Sequence, residues 1–283
     1  MVLWDVRTAF NGAGISDPSI ESDVLVMEAV QVTREQLYVS LDRMLDPYAA
    51  RRLNFLVDRR LSREPTAYIL GRKEFYGLDF NVSTDVLIPR PETEHLVDEA
   101  LKILSNKKSN SRSTVLDVGT GCGAIAIALA LHSPKSLIIG LDQSEVAIQV
   151  AKGNRSRYSS LTNLEFVVGD LLACFKGTVE VVVANLPYVE TSQIDSLAPE
   201  IRLYEPLRAL DGGVDGLVWI RKIIEQSAGL LGDGGSLLLE LDPHQVNPVR
   251  EFVQKVFNNP TLETVKDLQD NERVLIVTNP YSY

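Results

Sequence analysis

From Thr114 onward the chain alternates runs that are apolar at nearly every position with runs of helical periodicity. TVLDVG precedes AIAIALALH, and SLIIGLD precedes SEVAIQVAKGN. NLEFVVGD and VEVVVANLPY add two strands; DGLVWIRKIIEQSAGLL, GSLLLELD and HQVNPVREFVQKVF read helix, strand, helix. TLETVK and ERVLIVTN close the series as a hairpin-like pair, making seven strands. A strand with no polar face cannot lie at a solvated surface, so both faces of the sheet must be covered. Helices returning between parallel strands provide that cover. The expectation is an α/β fold with a seven-stranded, mostly parallel, Rossmann-like sheet. Ligands on such sheets sit beyond the carboxyl ends of the strands.

The first 72 residues have a different pattern and read as a separate helical domain. Pro18 lies just ahead of SIESDVLVMEAV, whose apolar residues recur at helical spacing. Thr33 and Gln36 have capping-box spacing. Asp46-Pro47 is a helix start, an acceptor followed by a residue whose missing N–H is harmless in the first turn. That helix is expected to run to about Ser62, with Leu53, Leu56, Val57 and Leu61 facing a core. Residues 73–90 begin with KEFYGLDFNVSTDVLI, β-prone runs flanking Gly77, and are read as a hairpin connector. Residues 91–283 form the main domain, opened by a helix in PRPETEHLVDEALKIL with acidic residues in its first turn. SNKKSNSRS, residues 105–113, is read as a loop before the first strand of the sheet.

Composition excludes several classes. With 45% apolar and 23% charged residues, the chain can bury a core and is not mainly disordered. No membrane-length apolar run is present, so no span is expected. Asp5 and Arg7 interrupt the N-terminus where a signal peptide needs an apolar run. Cys122 and Cys174 make no disulfide framework, and a reduced cytoplasmic setting fits. A net charge of −10 argues against direct binding to bare nucleic acid. The basic cluster Arg51, Arg52, Arg59, Arg60, Arg63, Arg72 and Lys73 is read as a solvated helix face.

The candidate chemistry gathers at strand ends. The first is the turn Gly119-Thr120-Gly121-Cys122-Gly123, where glycines permit positive φ and close approach of a ligand to the backbone. The second is Asp142, 19 residues beyond Gly123, whose carboxylate can accept both hydroxyls of a ribose or cap the next helix. One strand further on, Asp170 can receive an adenine amino group while Leu171 packs on the ring, or it can be a simple turn residue. The third is Asn185-Leu186-Pro187-Tyr188. Pro187 holds Leu186 extended, so the Asn185 side chain and the Leu186 carbonyl can be presented together. Two adjacent acceptors can hold a planar –NH₂ by both hydrogens, and Tyr188 can stack on the attached π system.

The tetrapeptide resembles the [N/D]PP[Y/F] motif of S-adenosylmethionine-dependent amino methyltransferases. More closely, the chain resembles the glutamine methyltransferases that act on peptide chain release factors, the HemK/PrmC family. The resemblance runs through REPTAYILGRKEFYGLDF, VLIPRPETE, LDVGTGCGAIAIALA, NLPY, YEPLRALDGGVDGL and DNERVLIV. IPRPETE favours the release-factor branch over the sibling that modifies a ribosomal protein. The resemblance implies a class I methyltransferase sheet and S-adenosyl-L-methionine as methyl donor, leaving S-adenosyl-L-homocysteine. It assigns the methionine part of the donor to Gly119–Gly123, its ribose to Asp142, and its adenine to Asp170 and Leu171. Asn185 would touch both donor and substrate. Leu186, Pro187 and Tyr188 would join Asn185 in holding a glutamine of the release factor's GGQ motif, tuning translation termination. The helical domain would dock that protein substrate, and the enzyme would act as a monomer.

The family's usual tetrapeptide is Asn-Pro-Pro-Tyr, and Leu186 departs from it. The backbone carbonyl survives, and the lost fixed φ is an entropic effect of about 1 kcal/mol. NLPY also occurs in ribosomal RNA dimethyladenosine transferases, which stay open as an alternative with other nucleic-acid amino methyltransferases and the ribosomal-protein branch. A cofactor-binding module without catalysis and a nicotinamide oxidoreductase are the remaining rivals.

Methyl transfer to an amide nitrogen calls for alignment of the reactants and acceptors for developing positive charge, with no metal and no covalent intermediate. His95, His132 and His244 have no metal-ligand spacing. Cys122 is read as a small loop residue rather than a reactive thiol. Arg90 and Glu92 either close over the active site or orient the following helix. Tyr204-Glu205-Pro206 is expected to shape a substrate pocket.

Overall fold

The structure is a computed structural model that describes residues 2–41, 44–106, 112–267 and 269–281. In chain order the helices are α1 (Val2–Gly12), α2 (Pro18–Val30), α3 (Arg34–Val39), α4 (Pro47–Leu61), α5 (Thr66–Leu70), α6 (Glu94–Asn106), α7 (Ala124–His132), α8 (Glu145–Ser156), α9 (Pro199–Tyr204), α10 (Val218–Ala228) and α11 (Val246–Val256). The strands are β1 (Arg72–Phe75), β2 (Leu78–Asn81), β3 (Thr114–Val118), β4 (Leu137–Asp142), β5 (Leu164–Val168), β6 (Val179–Ala184), β7 (Leu231–Glu240), β8 (Thr261–Lys266) and β9 (Glu272–Thr278). Among the described residues no helix is long and apolar enough to cross a membrane.

The chain forms two compact units: Met1–Arg72 with Ala198–Tyr204, and Lys73–Leu197 with Glu205–Tyr283. The first is helical, around Phe10, Leu25, Val26, Leu53, Leu56 and Ile69. Its caps follow the residue chemistry. Thr33 and Gln36 form the reciprocal box, and Asp46 accepts from the backbone of Tyr48 and Ala49. Leu61 does not join the core; it is the last residue of α4, where the helix ends, and is exposed.

The basic cluster differs from a solvated face. Arg60 is only 4% exposed and lies between Glu21 and Glu200. Arg63 also pairs with Glu200, Arg59 with Glu64, and Arg52 and Arg72 with Glu28. The guanidinium planes serve local carboxylates, and charge that is already neutralised adds little to phosphate binding. Glu200 comes from α9, which the pattern of 91–283 assigned to the main domain. Its two arginine pairs, and the bond from the Tyr204 hydroxyl to the Ser62 carbonyl, draw this helix into the first unit.

The second unit is the doubly covered sheet, in order β5-β4-β3-β6-β7-β9-β8, with β9 antiparallel to both of its neighbours. The four pairings from β5 to β7 are parallel. α7, apolar along most of its length, is buried through Ala124–Ala130, as a helix pressed between sheet and neighbouring helix must be.

The hairpin is shorter than predicted. β1 and β2 turn at Tyr76-Gly77, both with positive φ, the geometry of a tight two-residue hairpin. Residues 82–88 leave the strand because a turn closes from the Val86 N–H to the Ser83 carbonyl, yet Val86 and Ile88 remain buried. Similarly, PRPETE opens as a short 3-10 turn, Pro91–Thr93, before α6 begins at Glu94. Ser105 and Asn106 of the expected loop finish α6, and residues 107–111 lie outside the described residues. α9 and the short turns Thr191–Ser196 and Leu207–Ala209 were not anticipated, each being too short to show a period.

Candidate active site

The order of the sheet brings these strand ends together. The chain leaves β3 for β4 and β5 on one side and places β6 and β7 on the other, so a crevice opens at the carboxyl end of β3. Val118 is in register with Ala184 on β6 and with Leu141 on β4. Gly119, Asn185 and Asp142 therefore follow from adjacent strand ends. They line one pocket with Gly121, Asp170, Leu171, Leu186 and Pro187. Asp85, Val86, Leu87, Arg208, Ala209 and Trp219 complete much of its wall.

The glycine turn has φ values of 77°, 54° and 84° at Gly119, Gly121 and Gly123. The Gly119 and Thr120 N–H groups both donate to the Leu141 carbonyl at 2.8 Å, which fastens the turn to β4. A Cβ on Gly123 would stand 3.0 Å from Phe166 and 3.1 Å from Ala151, so glycine there allows α8 and β5 to close up. The Asp142 carboxylate accepts the Gly121 N–H at 3.0 Å through Oδ2 and the Ser144 N–H at 2.9 Å through Oδ1. Ser144, in turn, caps α8. Asp142 thus orders both the glycine turn and the entry to α8, and still lines the pocket.

Thr120, Cys122, Gly123 and Tyr188 are not part of the pocket wall. Thr120 is buried and donates to Asp117 at 2.6 Å. Cys122 is buried, and its carbonyl accepts from Asn154 at 2.9 Å. Burial pushes its thiol up to about 12, so it stays protonated at neutral pH. Tyr188 is half-buried and its carbonyl accepts from Gln245 at 2.9 Å. Burial, aided by Glu240, pushes its phenol up to about 12.

Asp117 was missed by the sequence reading, although an acid inside the apolar strand TVLDV was visible. It is fully buried beneath the glycine turn, accepting from Thr120 and from the Ala126 N–H, while Oδ1 has no partner. Burial raises its carboxyl to about 7 and Asp142 adds to the rise; the two hydrogen bonds oppose it.

Around the NLPY turn, Asn185 Nδ2 donates to Thr93 Oγ1 at 3.0 Å, which leaves Oδ1 as the side chain's acceptor. Thr93 belongs to IPRPETE, and it too was not singled out in advance. Beyond it lies Glu240, 2% exposed at the end of β7. Arg90 pairs with Glu205, joining IPRPETE to the YEPLRAL segment. Burial raises the Glu205 carboxyl, and Arg90 opposes that rise. Gly216 is required by this packing: at φ 70°, a Cβ would lie 2.3 Å from the Tyr188 carbonyl oxygen. His132 and His244 have local roles. His132 bonds the Ala128 carbonyl and meets Tyr76 edge-on, and His244 bonds Asp242.

The chain is similar to known proteins over most of its length. Residues 2–71 match the PrmC N-terminal domain and residues 109–203 a methyltransferase domain. The chain is 38% identical over 261 residues to a release factor glutamine methyltransferase of Thermodesulfovibrio yellowstonii, covering 91% of each chain. It is also 38% identical over 263 residues to one of Geobacter sulfurreducens, covering 87% of each. Among solved structures, a methyltransferase from Pyrococcus furiosus is similar in fold, with a TM-score of 0.53 at 18% identity, covering 82% of this chain and all of that one.

Proposed function

The chain belongs to the release factor glutamine methyltransferase family, S-adenosylmethionine-dependent protein-glutamine methyltransferases, and from that membership we propose that its substrate is the GGQ-motif glutamine of peptide chain release factors. Methylation of that side-chain amide nitrogen would tune translation termination. The observation that carries this reading is the Asn185 side chain, tied through Nδ2 to Thr93 and so presenting Oδ1, at a wall of the same pocket as the glycine turn.

The pocket fits the methyl donor. Gly119 and Gly121 bring backbone with no side chain of its own to the pocket wall, as the methionine end requires, and Asp142 offers a carboxylate to a ribose diol. Leu171 gives an apolar surface for the adenine, with Asp170 beside it as an acceptor. Bound there, S-adenosylmethionine supplies an electrophilic methyl group on a sulfonium sulfur.

The protein's own contribution is positioning. An amide nitrogen is a poor nucleophile because its lone pair is delocalised into the carbonyl. Asn185 Oδ1 and the Leu186 carbonyl each accept one N–H of the substrate amide and hold its plane. They stabilise the positive charge that grows on nitrogen better than they stabilise the neutral amide, which lowers the barrier; once the N–CH₃ bond has replaced the S–CH₃ bond, the nitrogen releases one of its two protons to solvent. Tyr188, neutral across the physiological range, packs against the core cluster of the sheet and so anchors the turn that carries the two acceptors.

The test is transfer of labelled methyl from S-adenosylmethionine to purified release factor, with peptide mapping and a Gln→Ala control in the GGQ loop. Label on that glutamine, absent in the control, is expected. Label on ribosomal RNA alone would move the assignment to the nucleic-acid alternative. Asn185→Ala is expected to lower kcat far more than cofactor affinity.

A further inference from the structure

We propose that Asn154 is a positioning residue for the methyl donor: its buried amide ties the back of the glycine turn to the end of the hairpin, and so sets how far apart two walls of the pocket stand. The proposal rests on the placing of the donor in this pocket and adds the device that fixes the pocket's width.

Asn154 lies on α8 and is fully buried, at 0% exposure. Its amide is bonded to main chain at every side. Oδ1 accepts from the Asn81 N–H at 2.7 Å, and Nδ2 donates to the Asn81 carbonyl at 3.0 Å and to the Cys122 carbonyl at 2.9 Å. These partners permit one orientation of the amide, because the N–H requires its oxygen and the two carbonyls require its nitrogen. An apolar side chain could fill the same space, but it would leave three main-chain groups without these bonds, and unpaired groups are costly where water is excluded. Asn154 does not itself line the pocket.

Both tied segments lead into the pocket wall. Cys122 directly follows Gly121, which lines the pocket. The N–H groups of Gly119 and Thr120 bond the Leu141 carbonyl and that of Gly121 bonds Asp142, so these contacts hold the glycine turn from the β4 side. The bond from Asn154 to the Cys122 carbonyl holds it from the hairpin side. Asn81 is the last residue of β2, and the chain then passes through the turn closed by Ser83 and Val86. Asp85, Val86 and Leu87 of that segment line the same pocket. One amide therefore spaces a wall of bare backbone from a wall of side chains. A displacement of either partner changes the gap into which the donor must fit.

Asn163 supplies a matched control for the test. It is 5% exposed, and its Nδ2 donates to the carbonyls of Ala130, Ser133 and Ser136 at 3.1, 3.3 and 3.0 Å. Asn163 directly precedes β5 and Ser136 directly precedes β4, so this cluster lies at the amino ends of the strands, away from the pocket. Asn→Asp at either position keeps the shape, removes the donors and turns a carboxyl oxygen against main-chain carbonyls, so both variants should lose stability. Only Asn154→Asp is expected to weaken S-adenosylhomocysteine binding. Its Kd by calorimetry, at a temperature where unfolding curves show each full-length variant folded, should rise by about tenfold to a hundredfold, the scale of a small misplacement in a site. Equal affinity in Asn154→Asp and wild type, or equal losses in the two variants, would overturn the proposal. Should Asn154→Asp fail to fold, the wild type gives the answer. Its Asn154 side-chain ¹⁵N–¹H₂ resonances should shift when S-adenosylhomocysteine is added while those of Asn163 stay in place, and a shift at neither or at both alike would overturn the idea. A wild-type protein that binds no S-adenosylhomocysteine would overturn the placing of the donor, and this proposal with it.

Discussion

Leu186 occupies the space that a side chain at residue 119 would need: a Cβ on Gly119 would meet Leu186 Cδ2 at 3.0 Å and the Asn185 carbonyl oxygen at 3.5 Å. Leu186 is itself 5% exposed, packed in one core cluster with Val118, Leu141 and Leu171. The leucine that replaces the family's usual proline is therefore part of the seam between the β3 and β6 turns. It joins the two loops that the chemistry needs side by side.

A double-mutant cycle measures that seam. Gly119→Ala forces a side chain onto a backbone at φ 77° and against Leu186, and is expected to destabilise by about 1–3 kcal/mol. Leu186→Ala opens a cavity and should cost about 2–4 kcal/mol. The double variant should lose about 1 kcal/mol less than the sum, because removing Leu186 relieves the clash but not the φ strain. Denaturant unfolding reads all three, and strict additivity would show that the two residues do not meet.

Asp142 is expected to matter to the cofactor before it matters to turnover. Its carboxylate already holds the N–H groups of Gly121 and Ser144, so Asp142→Asn, with one acceptor oxygen, cannot keep both. S-adenosylhomocysteine affinity by calorimetry should fall by about tenfold to a hundredfold, the range for losing hydrogen bonds to a charged group. Unchanged affinity would place the ribose elsewhere.

The buried Asp117 makes stability depend on pH with a definite sign. Its folded-state value of about 7 stands above the ordinary 3.8, so its stabilising contribution is complete below about pH 4 and is lost as pH rises through about 7. Asp117→Asn is isosteric and cannot ionise. The unfolding free energy of the wild type minus that of the variant should fall between those two pH values, and a flat difference would mean the carboxyl is solvated. Burial also raises the Glu240 carboxyl to about 7, and that rise is common to both proteins and cancels.

The two cysteines should separate cleanly under alkylation. Cys174 is exposed, whereas Cys122 is buried with a thiol pushed up to about 12. Iodoacetamide at pH 8 should label Cys174 alone in the folded protein, by peptide mass spectrometry. Methyl transfer should survive, and rapid labelling of Cys122 would mean the glycine turn opens in solution.

Much of this was legible in the order of residues. The strands β3 to β9 and the helices between them, α9 apart, follow from runs of Val, Leu and Ile long enough for their period to show. The Thr33–Gln36 box and the Asp46 cap are local chemistry and formed where their spacing placed them. The GxGxG turn and NLPY stood out because glycine and proline restrict the backbone in ways that few other residues do. The site's remote partners were not legible. Thr93 stands 92 positions from Asn185 along the chain, Arg90 stands 115 from Glu205, and nothing local to any of them marks the pairing. α9 was also hidden, since its six residues are too few to carry a period and its place depends on Arg60 and Arg63, far away in sequence.

By itself, then, the sequence determined which segments are strands, which are helices, and where the backbone must turn through glycine or stiffen at proline, because those properties arise within a few residues of each other. Only the tertiary structure decided which strand ends lie together and what each buried polar group faces. Crossing from β3 to β6 as neighbours sets Gly119 beside Asn185, and burial without full partners raises Asp117 and Glu240 toward neutrality. Adjacency in a sheet and exclusion of water are properties of the whole folded chain, which no local run of residues encodes.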